Sequence, residues 1–163
     1  MAVRRLAILS AALVLSAAGT AIAAEPRAGL HLQGEIKFPR AQKMFVQTDA
    51  QDGTRLTVAL GFHGKCTGGG LSELWSSNVA AKPEVRVRDG RFEDTLTGVS
   101  RNVGGVSGRT GHFRWEFSGR FTERDVVVGT VSGTAEVRQN GKTISRCKTR
   151  KPASVRLTVR SPA

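Results

Sequence analysis

Residues 113–137, FRWEFSGRFTERDVVVGTVSGTAEV, place an apolar or small side chain at nearly every second position. Phe113, Trp115, Phe117, Gly119 and Phe121 share one parity, and Arg114, Glu116, Ser118 and Arg120 the other. Period two marks a strand with one buried face, whereas an amphipathic helix would repeat its apolar stripe every three to four residues. After residues 123–125 the pattern restarts, with Val127, Gly129, Val131, Gly133, Ala135 and Val137 on one face and Thr130, Ser132, Thr134, Glu136 and Arg138 on the other. The two runs predict a long antiparallel hairpin.

The same alternation joins Leu30, Leu32, Gly34 and Ile36; Leu56, Val58, Leu60 and Phe62; Val85 and Val87; and Val155, Leu157 and Val159. Asp52-Gly53, Asp89-Gly90 and Asn140-Gly141 stand between such runs, and these dipeptides tolerate the positive φ angles of two-residue hairpin turns. No segment carries a helical period. The expected fold is all-β, an antiparallel β-sandwich or small β-barrel of about eight or nine strands, formed by one domain over residues 25–163.

Ahead of that domain, Arg4 and Arg5 precede an apolar run and the small-residue pattern Ala21-Ile22-Ala23, which together predict a secretory signal peptide over residues 1–24, cleaved near Ala23 or Ala24. The run is too short and alanine-rich for a spanning helix. A secreted or periplasmic location follows as an expectation. Cys66 and Cys147 are the only cysteines, and a single pair in an exported chain predicts a disulfide.

Loss of the leader would remove two arginines and no acid, bringing the formal charge from +12 to +10. No acidic residue follows Glu136, while Arg138, Lys142, Arg146, Lys148, Arg150, Lys151, Arg156 and Arg160 do. This basic ending suits an anionic cell-wall polymer or a membrane surface, with no specific nucleic acid implied; a solvated face that favours solubility is the plainer alternative.

The stretches FHGKCTG (residues 62–68), VRDGRFEDTL (87–96), FSGRFTERDVVVGTVSGTAEV (117–137) and NGKTISRCKTRKPASVRLTV (140–159) resemble a β-rich domain that recurs in exported bacterial proteins, notably of high-GC actinobacteria. In that domain one cysteine follows a mid-chain strand and a second precedes a short last strand. The resemblance covers about residues 54–160. It implies no activity and no catalytic residue.

The chemistry-bearing residues are scattered. GFHGK has its glycine and lysine spaced GxxGK, not GxxxxGK before serine or threonine, so no phosphate loop is expected. His31, His63 and His112 fall on polar parities with no short ligand pair, so they read as exposed strand residues with no metal and no cofactor. There is no G-x-S-x-G elbow. Glu84, Glu93 and Asp94 offer carboxylates for glycoside hydrolysis, yet adjacent Glu93 and Asp94 point to opposite faces of a strand. Two expected long loops, residues 67–83 and 100–111, are where a hydrolase site would sit. Trp75, in the first of them, is either an exposed stacking platform or a lid folded onto an open barrel end; its large apolar area favours the lid. The expected function is a non-enzymatic binding or structural module, with a small-ligand carrier or a loop-based hydrolase as alternatives.

Overall fold

The computed structural model describes residues 23–38 and 40–160. Its first three strands are β1 (His31–Lys37), β2 (Ala41–Thr48) and β3 (Arg55–Thr67). β4 (Glu73–Arg86), β5 (Arg91–Arg101), β6 (Arg109–Glu123) and β7 (Val126–Gln139) follow, and β8 (Lys142–Lys148) and β9 (Ala153–Val159) end the series. Every pairing is antiparallel. The expected all-β fold is therefore present: among the described residues there are nine strands and, besides them, only a three-residue 3-10 turn, Val103–Gly105, between β5 and β6.

Successive strands pair from β1 through to β7, β7 pairs with β9, and β9 returns to β1, so eight strands close a ring. The long strands β3 and β7 each serve two neighbours. β3 pairs with β2 near Leu56–Leu60 and with β8 at Lys65–Thr67; β7 pairs with β9 over Val127–Val131 and with β8 from Thr134 onward. The ring thus has eight strands at one end and six at the other, where β8 alone stands between β3 and β7. Thr149 bridges the change of partner on β7: its N–H donates to Gly133 O at 2.9 Å, and its Oγ1 accepts the Gly133 N–H at 3.2 Å.

Only three registered pairs join β3 to β8, and the middle one is Cys66 opposite Cys147. The two form the expected disulfide, with Cα atoms 4.0 Å apart and 81 residues of separation. Cys147 is buried and Cys66 packs, half-buried, against the core. On the chain-entropy account, closing a loop of that size stabilises the fold by about 4.5 kcal/mol.

The inward parity of each strand fills the ring. Trp115, Phe62, Phe117 and Phe121 are the largest fully buried side chains. Phe62 on β3 meets Phe113 on β6 at 5.3 Å between ring centroids, and the Phe113 ring stacks on Trp115 at the same distance. Glycines make room for these rings. Trp115 stands opposite Gly133, where an added Cβ would come within 2.8 Å of its Cδ1, and Phe92 stands opposite Gly119, where the approach would be 2.7 Å. Large rings laid over facing glycines are one way to fill a narrow barrel without a void.

Two of the three expected dipeptide turns form, whereas Asp52-Gly53 lies in a six-residue connection, 49–54, in which Gly53 alone has a positive φ. Asp89 and Gly90 have φ of 49° and 65°, and Asn140 and Gly141 of 50° and 78°, the double positive φ of a tight hairpin turn. In the β2–β3 turn the Asp49 carboxylate accepts N–H groups from Gln51, Asp52 and Gly53 on Oδ1 and from Arg55 on Oδ2, at 2.9–3.2 Å. These backbone donors, together outweighing partial burial, hold its pKa well below the usual carboxylate range.

Several expectations need correction. The stretch 67–83 is a five-residue turn, 68–72, followed by most of β4; the stretch 100–111 contains only 102–108 outside strands. β4 escaped the alternation because its register against β3 shifts twice: the shift between Leu60 and Phe62 switches the inward parity from Val79 and Ala81 to Leu74 and Ser76, and the shift between Leu56 and Val58 inserts residues that interrupt the pattern before Val85. Cys147 lies within β8. The predicted leader falls on residues 1–22, outside the described residues, apart from Ala23 and Ala24. Ala24 N–H donates to Phe121 O at 2.9 Å, beside the β6–β7 turn.

Candidate anion-binding face

On the outer surface near the six-stranded end, the registers line up one row of residues across six neighbouring strands: Lys82, Thr97, Arg114, Thr134, Lys148 and Lys65. Two residues along each strand, the second row is Ala80, Val99, His112, Glu136, Arg146 and Thr67. All twelve line one cleft of about 1100 Å³. The first row holds four cations, two threonines and no acid. Lys65 and Lys148 are directly opposed, an arrangement that destabilises a sheet unless an anion screens it.

Glu136 is the single carboxylate of the cleft. The Arg138 guanidinium, hydrogen-bonded to its Oε2 at 2.8 Å, lowers its pKa most, with the charges of Arg138 and Arg146 and the Thr143 hydroxyl adding to that against partial burial. Its charge is thereby committed to Arg138 and Arg146. Lys65, Lys82, Arg114 and Lys148 make no ion pair among the described residues.

The basic ending predicted from sequence does not form one face. Arg146 and Lys148 point into the cleft, and Arg150 and Lys151, in the turn before β9, share a smaller adjoining pocket with Arg114 and Lys148. Arg138 is tied to Glu136, and Lys142 starts β8 at the hairpin tip. Arg156 lies in a separate groove, and Arg160 follows β9, its N–H bonded to His31 O. Lys65, Lys82 and Arg114 were missed as members of the cluster. The signal for Arg114 was its polar parity in the hairpin; the signal for Lys65 and Lys148 was the predicted Cys66–Cys147 bridge, which sets the segments that carry them side by side.

Trp75 is 57% exposed on β4, opposite His63, and does not fold back as a lid. His63 itself is buried, contrary to the expectation of an exposed strand residue. The β1–β2 connection covers it: the Arg40 N–H donates to Nδ1 at 3.3 Å, so Nδ1 is the acceptor, and Nε2 stands 3.3 Å from Glu73 Oε2. That geometry directs Nε2–H toward the Glu73 carboxylate.

No family model, curated protein or solved structure matches the chain. The resemblance to exported bacterial β-domains thus rests on the quoted motifs alone. Among the described residues no three His, Cys, Asp or Glu side chains gather as a metal site. The three histidines sit on β1, β3 and β6, none adjacent to another in the ring. Of the surface features, the cation row is the one that the register assembles from six separate strands.

Proposed function

We propose that the protein is an extracytoplasmic, non-enzymatic binding module that holds an anionic polymer along the row of Lys82, Arg114, Lys148 and Lys65. The observation that supports this is the direct opposition of Lys65 and Lys148 within an acid-free row. Folding alone gains nothing from that pairing, whereas a polyanion laid across the strands would screen it. Arg146 on the second row and Arg150 and Lys151 at the adjoining turn extend the positive surface, while the threonines offer neutral hydrogen bonds between the charges. Lysine heads on flexible stems suit a repeating charge more than one rigid ligand. The aromatic filling of the ring interior weighs against a carrier with its ligand inside, and the shortening of both expected loops weighs against a loop-based hydrolase.

The test is titration of the protein with long-chain polyphosphate between about 50 and 200 mM salt, where charge screening tightens. Binding should weaken steeply with salt, and Lys65→Gln with Lys148→Gln should reduce affinity about tenfold, a change of roughly 1.4 kcal/mol. Undiminished binding at high salt would refute the electrostatic mechanism. Preference for anionic vesicles over the polymer would move the reading to a membrane surface.

A further inference from the structure

A larger groove of about 1450 Å³ crosses another part of the outer surface, over β5, β6, β7 and β9, with Glu35 and Lys37 of β1, Glu84 and Arg86 of β4 and Asp94 of β5 also in its lining. Register assembles a second row there. Arg88 bridges Arg91, Arg91 faces Arg120, Arg120 faces Val128, and Val128 faces Arg156. Among the described residues none of these four arginines makes an ion pair. The neighbouring row on the same face differs in kind: Glu93 faces Ser118, Ser118 faces Thr130, and Thr130 faces Ser154. Ser118 Oγ and Thr130 Oγ1 are 3.1 Å apart.

We propose that this groove is a second binding site, for a sugar that carries a phosphate or sulfate ester. Arginine presents a planar fork that pairs with a tetrahedral oxyanion through two hydrogen bonds, which a lysine cannot do. Arg91 and Arg120 lie side by side on β5 and β6, the Arg88 bridge adjoins them, and Arg156 follows across Val128, so several such forks stand along one line. The second row supplies what the hydroxyls of a sugar need, a carboxylate acceptor in Glu93 and hydroxyls that both donate and accept. Two residues along a strand separate the rows by about 7 Å, roughly the width of one pyranose ring. A bare oxyanion would use only the arginines, and a neutral sugar only the hydroxyl row. The lysine cleft has a single arginine in its first row, and its one carboxylate, Glu136, is paired with Arg138 and Arg146, so the two sites differ in chemistry and neither depends on the other.

The experiment is amide-resonance titration of the full chain with glucose 6-phosphate, glucose 6-sulfate, glucose and inorganic phosphate. Either ester should shift Arg91, Arg120 and Ser118 and bind at least tenfold tighter than glucose or inorganic phosphate; the two ester arms show which oxyanion is preferred. Arg91→Gln with Arg120→Gln should weaken ester binding at least tenfold, and Lys65→Gln with Lys148→Gln should leave it unchanged. Ser118→Ala with Thr130→Val should weaken the esters and spare inorganic phosphate. Melting curves accompany each variant, and Arg120→Gln alone replaces the double change if that unfolds. Equal loss from the arginine and lysine pairs, or esters binding no tighter than inorganic phosphate, would overturn the proposal.

Discussion

Lys65 and Lys148 face each other across the β3–β8 ladder, one position from the disulfide that joins the same two strands. The repulsion of two like charges is held in place there by a covalent bond. Reversing one charge should therefore separate stability from binding. Lys148→Glu is expected to raise the melting temperature slightly, by the equivalent of about 0.2–1 kcal/mol for an opposite-charge cross-strand pair, while weakening polyphosphate binding about tenfold. Calorimetry and a binding titration on one preparation check both; a variant that loses stability contradicts the assigned repulsion.

Reduction of Cys66–Cys147 should loosen the six-stranded end first, because only three registered pairs hold β3 to β8. Thiol titration of denatured, unreduced protein should detect no free thiol. Reduced protein should be less stable by a few kcal/mol, a large share of a typical domain's margin. Hydrogen exchange should quicken at residues 65–67 and 146–148 before it does in β6. Unchanged stability after reduction would show that the bridge contributes nothing beyond the ladder.

Gly129 faces Gly119 on the neighbouring strand, and a Cβ on Gly129 would run into the Ser118 carbonyl. Backbone cannot step aside as a flexible side chain can. Gly129→Ala should cost about 1–3 kcal/mol, the range for overpacking, read from the urea midpoint. Gly133→Ala should cost less, since its nearest obstacle is the Trp115 ring at 2.8 Å and the backbone carbonyl of Arg114 stands farther off, at 3.2 Å.

Asp49 gives acid sensitivity a definite sign. Its folded-state pKa lies below that of the unfolded chain, about 3.9, so its contribution is complete above that value and is lost as pH falls from there through the folded value. Asp49→Ala should be less stable than the parent at pH 7, and the gap should narrow as pH drops below about 4. Urea midpoints at pH 7 and pH 2.5 test this. A gap that widens in acid would assign the stabilisation elsewhere.

The sequence pattern was most informative where alternation is clean. The β6–β7 hairpin, the Asp89-Gly90 and Asn140-Gly141 turns and the cysteine pair all follow from residue type and spacing. β2 and β4 do not. In β2 the inward positions include buried Gln42 and Thr48, leaving only Met44 and Val46 to signal a strand, and the Thr48 hydroxyl is used to bind Leu30 N–H and Arg27 O. In β4 one register shift switches the inward parity between Ser76 and Val79. The cation rows were less legible still, because Lys65 and Lys148 become neighbours only through the long-range β3–β8 pairing, and linear charge counting credited the chain's basic ending instead.

The meeting of β1 with β9 sets an order on assembly. Gly34 faces Leu157, and a Cβ on Gly34 would strike the Arg156 carbonyl, so the first and last strands lie against each other with no room between. As the chain emerges from the ribosome, β1 and the first half of β7 keep unpaired edges until the final strand is made. Such edges are templates for joining another chain. The vulnerable interval is therefore the time needed to synthesise β8 and β9, and a chain stalled before residue 153 should be prone to associate with its own copies.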